Sequence, residues 1–141
     1  MIERDVINAK FDILQRDLAF AKELGRVKPA EFGFKEEQAA KYTLLEIAEA
    51  CIDIASHIVA ARGFRRAEEY SELFQILREE GVISPALGDR LSAMAKMRNL
   101  LIHRYGEVDN RRLLSILGTR MGDVEQFMSH IAAFISKKPR S

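Results

Sequence analysis

The sequence predicts an all-α protein, an up-and-down four-helix bundle with one additional short helix. Three observations predict it. Apolar residues recur at three- and four-residue steps over nearly the whole chain. The 3 prolines and 8 glycines fall mostly between those periodic stretches. No stretch shows the alternation of a half-buried strand, and there is no internal repeat or low-complexity tract. With 141 residues, 48% of them hydrophobic and 30% charged, the chain is long enough to bury one core. We expect a single domain over residues 1–136 and a polar, frayed tail over 137–141.

In the first helix Ile7, Phe11, Leu14, Leu18 and Ala21 line one face, and Gly25 ends it. Arg26 to Phe34, with Pro29 and Gly33, reads as a connection. The second helix, about Glu36 to Ala61, is apolar around most of its circumference, which places it centrally. Its polar residues Glu46, Glu49, Asp53 and His57 form one narrow stripe, and Gly63 closes it. A short helix carries Tyr70, Leu73, Phe74 and Leu77 up to Gly81. Ser84-Pro85 opens the next, since serine caps and proline needs no N–H partner in a first turn. That helix runs through Leu87, Leu91, Met94 and Leu101 towards Tyr105 and Gly106. Asp109 caps a last helix in which Leu117, Met121, Val124, Met128, Ile131 and Ile135 keep the period.

The bulk properties exclude several classes. A net charge of +1 advertises no broad nucleic-acid-binding field, so any RNA contact must be local. The one cysteine, Cys51, cannot form an intrachain disulfide, which suits the cytoplasm, and it reads as a small buried hydrophobe. No apolar run reaches the roughly 18 residues of a membrane span. Met1-Ile2-Glu3-Arg4-Asp5 is unlike a signal peptide, so we expect a cytoplasmic protein without a membrane partner.

One position breaks the pattern. Along the stripe Leu87, Leu91, Met94, Leu101, the residue where the period asks for a core side chain is Arg98. An arginine there needs a partner for its charge. A structurally paired or snorkelling arginine and a functional one are equally good readings of this pattern alone. His103 and Tyr105 follow at the helix end. Histidine moves protons near neutral pH, and the arginine fork suits a phosphate. Such a pair can cut RNA without a metal or cofactor: a base deprotonates the 2′-hydroxyl while a cation stabilises the phosphorane-like transition state. Five residues at about 100° each put Arg98 and His103 roughly 140° apart on an ideal helix. Either the helix ends or distorts before His103, or the site is assembled from two chains by a two-fold axis.

The segment Arg98-Asn99-Leu100-Leu101-Ile102-His103-Arg104-Tyr105 resembles the Arg-x-x-x-x-His-x-Tyr signature of HEPN domains. The stretch Tyr42 to His57, the helix order and the length resemble the HepT-like branch of that family. The resemblance implies a helical homodimer whose two motifs share a cleft. It implies a ribonuclease toxin of a type VII-like toxin–antitoxin pair, acting on RNA and not on DNA. Its antitoxin would be a minimal nucleotidyltransferase that transfers AMP to the motif tyrosine. Carried over, Arg98 holds the scissile phosphate, His103 is the general base or acid, Asn99 orients the strand or a neighbouring side chain, and Tyr105 is modified. Glu49 and Asp53 would pair with Arg98 or tune His103, unless they are a solvated stripe.

Other candidates are weaker. His57 and Asp53 are four residues apart but lack a third ligand, so no metal site is expected. His130 reads as a rim residue. Arg62, Arg65, Arg66, Arg111 and Arg112 suit RNA backbone or plain solvated helix ends. There is no phosphate-binding glycine loop and no Ser-His-Asp set. The competing function is a non-catalytic nucleotide- or partner-binding subunit of a nucleotidyltransferase, in which the same motif serves only docking and modification.

Overall fold

A computed structural model describes residues 1–137, so the expected tail lies largely outside the described residues. The chain runs α1 (Arg4–Gly25), α2 (Phe34–Ala61), α3 (Tyr70–Glu79), α4 (Pro85–His103), α5 (Asn110–Thr119) and α6 (Met121–Ser136), with one-turn 3₁₀ segments at Pro29–Glu31 and Tyr105–Glu107. There is no strand among the described residues. Among the described residues no helix is long and apolar enough to cross a membrane.

The expected stripes are the buried ones. Ile7, Leu14, Leu18 and Ala21 of α1 face α2 in one contiguous core. Ala40, Leu44, Ile47, Ala48, Cys51, Ile54, Ala55 and Ile58 are all buried on α2, which packs against α1, α3 and α4 as its apolar circumference demands. The α3 helix packs along α4, and Phe74 meets Phe127 of α6 edge to face with centroids 5.8 Å apart. Burial pushes the Cys51 thiol far above its ordinary range, leaving it a small core residue.

Local chemistry fixes the joints. Gly63 and Gly81 adopt φ values of 65° and 72°, which favour a residue without Cβ. Ser84 accepts the Leu87 N–H at 3.4 Å, and Asp109 accepts the Arg112 N–H at 2.9 Å, so both expected caps form.

The last helix differs from the reading as one element: it divides at Arg120. The Arg120 N–H closes α5 on the Ile116 carbonyl at 2.9 Å, and its own carbonyl accepts from Asp123 at 3.1 Å to start α6. The apolar spacing runs straight through the joint, so the period does not register it. Gly118 and Gly122 flank it, and helices yield most readily beside glycine.

Candidate functional site

The α4 helix keeps its hydrogen bonding to His103 and then breaks. Arg104 takes φ −138° and ψ 47° as its N–H closes on the Leu100 carbonyl at 2.8 Å. The helix therefore does not distort before His103, and it stops short of Tyr105. Arg98 and His103 stay on faces roughly 140° apart with a rise of roughly 7.5 Å between them.

The Arg98 side chain is largely buried, 16% exposed. Its Nε donates to Glu49 Oε1 at 2.8 Å and its Nη1 to Asn99 Oδ1 at 3.1 Å. The guanidinium carbon stands 4.9 Å from the Tyr70 ring centroid, in cation–π contact. Three neighbours thus fix the plane of the fork, while Nη2 has no protein partner among the described residues. A charge-assisted fork held this way suits a phosphate oxygen.

His103 is exposed at the end of α4 and makes no side-chain hydrogen bond among the described residues. Tyr105 is 38% exposed, and its hydroxyl donates to Gln38 Oε1. Lys41 Nζ reaches the Tyr105 carbonyl at 2.8 Å and stands 4.4 Å from the centre of its ring.

The polar stripe of α2 divides between two neighbours. Glu49 meets Arg98, but Asp53 pairs with Lys10 of α1 at 2.9 Å, so the expected contact of Asp53 with Arg98 or His103 does not form. His57 Nε2 accepts the Glu3 N–H at 2.9 Å instead of engaging Asp53. Glu46 takes Arg16, and beside it Asp17 is buried with Oδ2 lacking a donor. Burial first, then the Glu46 carboxylate, push the Asp17 carboxyl up to about 6. Glu46 is held below its usual range, chiefly by the hydrogen bond from Asp17.

Two of the five basic candidates are engaged elsewhere. Arg65 pairs with Glu72 and Glu79, and Arg62 stacks on Phe134 with its guanidinium carbon 4.7 Å from the ring centre. His130 Nδ1 meets the Gln126 carbonyl at 2.8 Å on its own helix.

Sequence reading missed Gln38, Lys41 and Tyr70. Lys41 carried a signal: with Leu44 and Ala48 it continues an apolar stripe, the same kind of violation that marked Arg98.

The mRNA nuclease HepT of Shewanella oneidensis is 29% identical over 100 residues, 71% of this chain and 75% of that protein. The tRNA nuclease HepT of Aphanizomenon flos-aquae is 20% identical over 136 residues, 95% of this chain and 92% of that one. Among solved structures, the tri-AMPylated Shewanella oneidensis HEPN toxin in complex with its MNT antitoxin superposes with a TM-score of 0.84. It is 26% identical, across 92% of this chain and 98% of that one. The model of the family described as Ribonuclease HepT-like matches residues 14–131. With the motif placed where α4 meets its terminal turn and the whole bundle shared, the chain belongs to the HepT-like ribonuclease family.

Proposed function

We propose that this chain is a metal-independent endoribonuclease, the toxin of a type VII-like toxin–antitoxin pair, and that residues 1–136 act as one domain within a cytoplasmic homodimer. The observation that carries the reading is Arg98: a half-buried guanidinium fixed by Glu49, Asn99 and Tyr70, with donors left over for a phosphate. In the reaction the RNA 2′-hydroxyl attacks the adjacent phosphorus, the bond to the 5′-oxygen breaks, and a cyclic phosphate and a free 5′-hydroxyl result. His103 takes the 2′ proton or returns one to the leaving oxygen. Arg98 stabilises the charge that develops on the phosphoryl oxygens, and Asn99 and Glu49 hold Arg98 in place. DNA lacks the nucleophile.

Arg98 and His103 point away from each other within one chain, and a two-fold pairing of motifs brings the arginine of one copy to the histidine of the other. A minimal nucleotidyltransferase silences the toxin by transferring AMP to Tyr105. The added phosphate is an anion beside the two catalytic residues and repels RNA. The relatives' names and the AMP-bearing toxin among the solved structures support this reading.

The test is RNA cleavage by the purified protein in EDTA, beside His103→Ala and Arg98→Ala. Cleavage that survives EDTA and disappears in both variants is the expected result. A folded, unmodified dimer that cuts nothing would leave the chain a docking and modification subunit.

A further inference from the structure

Lys41 is an unusual lysine. Its side chain is 2% exposed, in the first half of α2. A buried ammonium must have its charge and its three donors answered. Glu37, one turn earlier, answers with a carboxylate at 2.9 Å. The other two partners both belong to Tyr105: its carbonyl at 2.8 Å, and its ring face with the centroid 4.4 Å away. Three residues before Lys41 and on the same helix face, Gln38 Oε1 accepts a hydrogen bond from the Tyr105 hydroxyl.

Tyr105 follows the break at Arg104, where the chain has left α4 and its backbone is no longer set by a helical ladder. The backbone, ring and hydroxyl of Tyr105 are thus each held, and each by α2. Because the phenol O–H donates a hydrogen bond to Gln38, both lone pairs on its oxygen stay directed away from that amide. Those are the electrons a nucleotidyl transfer needs.

We propose that Lys41 and Gln38 are positioning residues that present the Tyr105 hydroxyl for nucleotidyl transfer. The inference rests on Tyr105 being the residue modified. In the step, Tyr105 Oη bonds to the α-phosphorus of ATP, and the bond from that phosphorus to the bridging oxygen of the β-phosphate breaks. Pyrophosphate leaves with the electron pair, and the phenolic proton passes to water. Lys41 fixes the ring plane and the turn, Gln38 fixes the direction of the oxygen, and neither takes the proton. Once AMP is attached the oxygen can no longer donate to Gln38, so that half of the clamp opens on modification.

The experiment uses the full chain with its nucleotidyltransferase and ATP labelled at the α-phosphate. It follows label transfer to the parent, Tyr105→Phe, Lys41→Met, Gln38→Met and Gln38→Glu. Tyr105→Phe takes no label. Lys41→Met and Gln38→Met lower kcat for labelling by roughly tenfold or more, the scale of a misplaced nucleophile, with the KM for ATP unchanged. Gln38→Glu keeps the acceptor and restores labelling to within about threefold of the parent. Loss of fold alone would not separate methionine from glutamate at one half-buried position, so the Gln38 pair decides even if Lys41→Met does not fold. Labelling of both methionine variants at the parental rate, with Tyr105→Phe unlabelled, overturns the clamp and leaves the target intact. Full labelling of Tyr105→Phe overturns the target, and the clamp with it.

Discussion

Arg98 and Glu49 meet at 2.8 Å, and the acid is the more exposed partner, 38% against 16%. A carboxylate on the open side of a half-buried cation aims the guanidinium without sealing it from a second anion. Glu49→Ala should therefore lower kcat for RNA cleavage by roughly tenfold, as a misaimed catalytic group does, while the fold survives. Initial rates in EDTA beside a thermal melt check this. Parental rates from the alanine variant would show that Tyr70 and Asn99 hold Arg98 unaided.

Mixed dimers test the shared site. If each site takes Arg98 from one chain and His103 from the other, combining Arg98→Ala with His103→Ala leaves one intact site in each mixed dimer. Random exchange of two inactive preparations should then recover about a quarter of the parental rate. Co-refolding followed by the same cleavage assay measures it. Two inactive proteins that stay inactive when mixed would place both residues of each site in one chain.

The pair Asp17 and Glu46 sets a pH dependence of stability. The Asp17 carboxyl titrates near 6 when folded against 3.8 ordinarily, so the folded chain keeps a proton that the unfolded chain has released. Stability from this group is complete below 3.8, declines as pH rises towards 6, and is gone above it. Glu46 is lowered from 4.5, so its contribution has the opposite sign and is lost only below that value. The window between about 4.5 and 6 therefore belongs to Asp17. Asp17→Asn should melt a few degrees higher than the parent at pH 7.5, with the gap closing towards pH 4.5. Parallel melting curves for the two proteins across that range would refute the assignment.

Two glycines should respond to alanine with opposite signs. Gly81 sits at φ 72° with open space around it, so Gly81→Ala is strained by the backbone alone and should cost about 1 kcal/mol. Gly118 lies within α5 with nothing near an added Cβ, so Gly118→Ala should gain about 0.5 kcal/mol. Urea unfolding of both variants reads the signs, and a stabilising Gly81→Ala would contradict the turn.

Much of this was legible in the residues. Ile7 to Ala21 and the apolar girth of α2 set out the core because burial and helical period are the same constraint seen twice. The joint at Arg120 was not, since Leu117, Met121 and Val124 keep their spacing across it. Arg98 announced itself by breaking its stripe, but its choice of Glu49 over Asp53 depends on which neighbour each turn of α2 faces, a property of packing rather than of spacing. Lys41 escaped because Glu37 four residues earlier looks like an ordinary surface pair until the burial is known.

The motif is not portable. The Arg98 and Tyr105 contacts on α2 reach back 49 and 64 to 67 positions along the chain. A peptide copying residues 85–107 would contain the arginine, histidine and tyrosine and none of their arrangement. Transplanting those letters into another bundle transfers a spelling, and the chemistry stays behind with the helix that reads it.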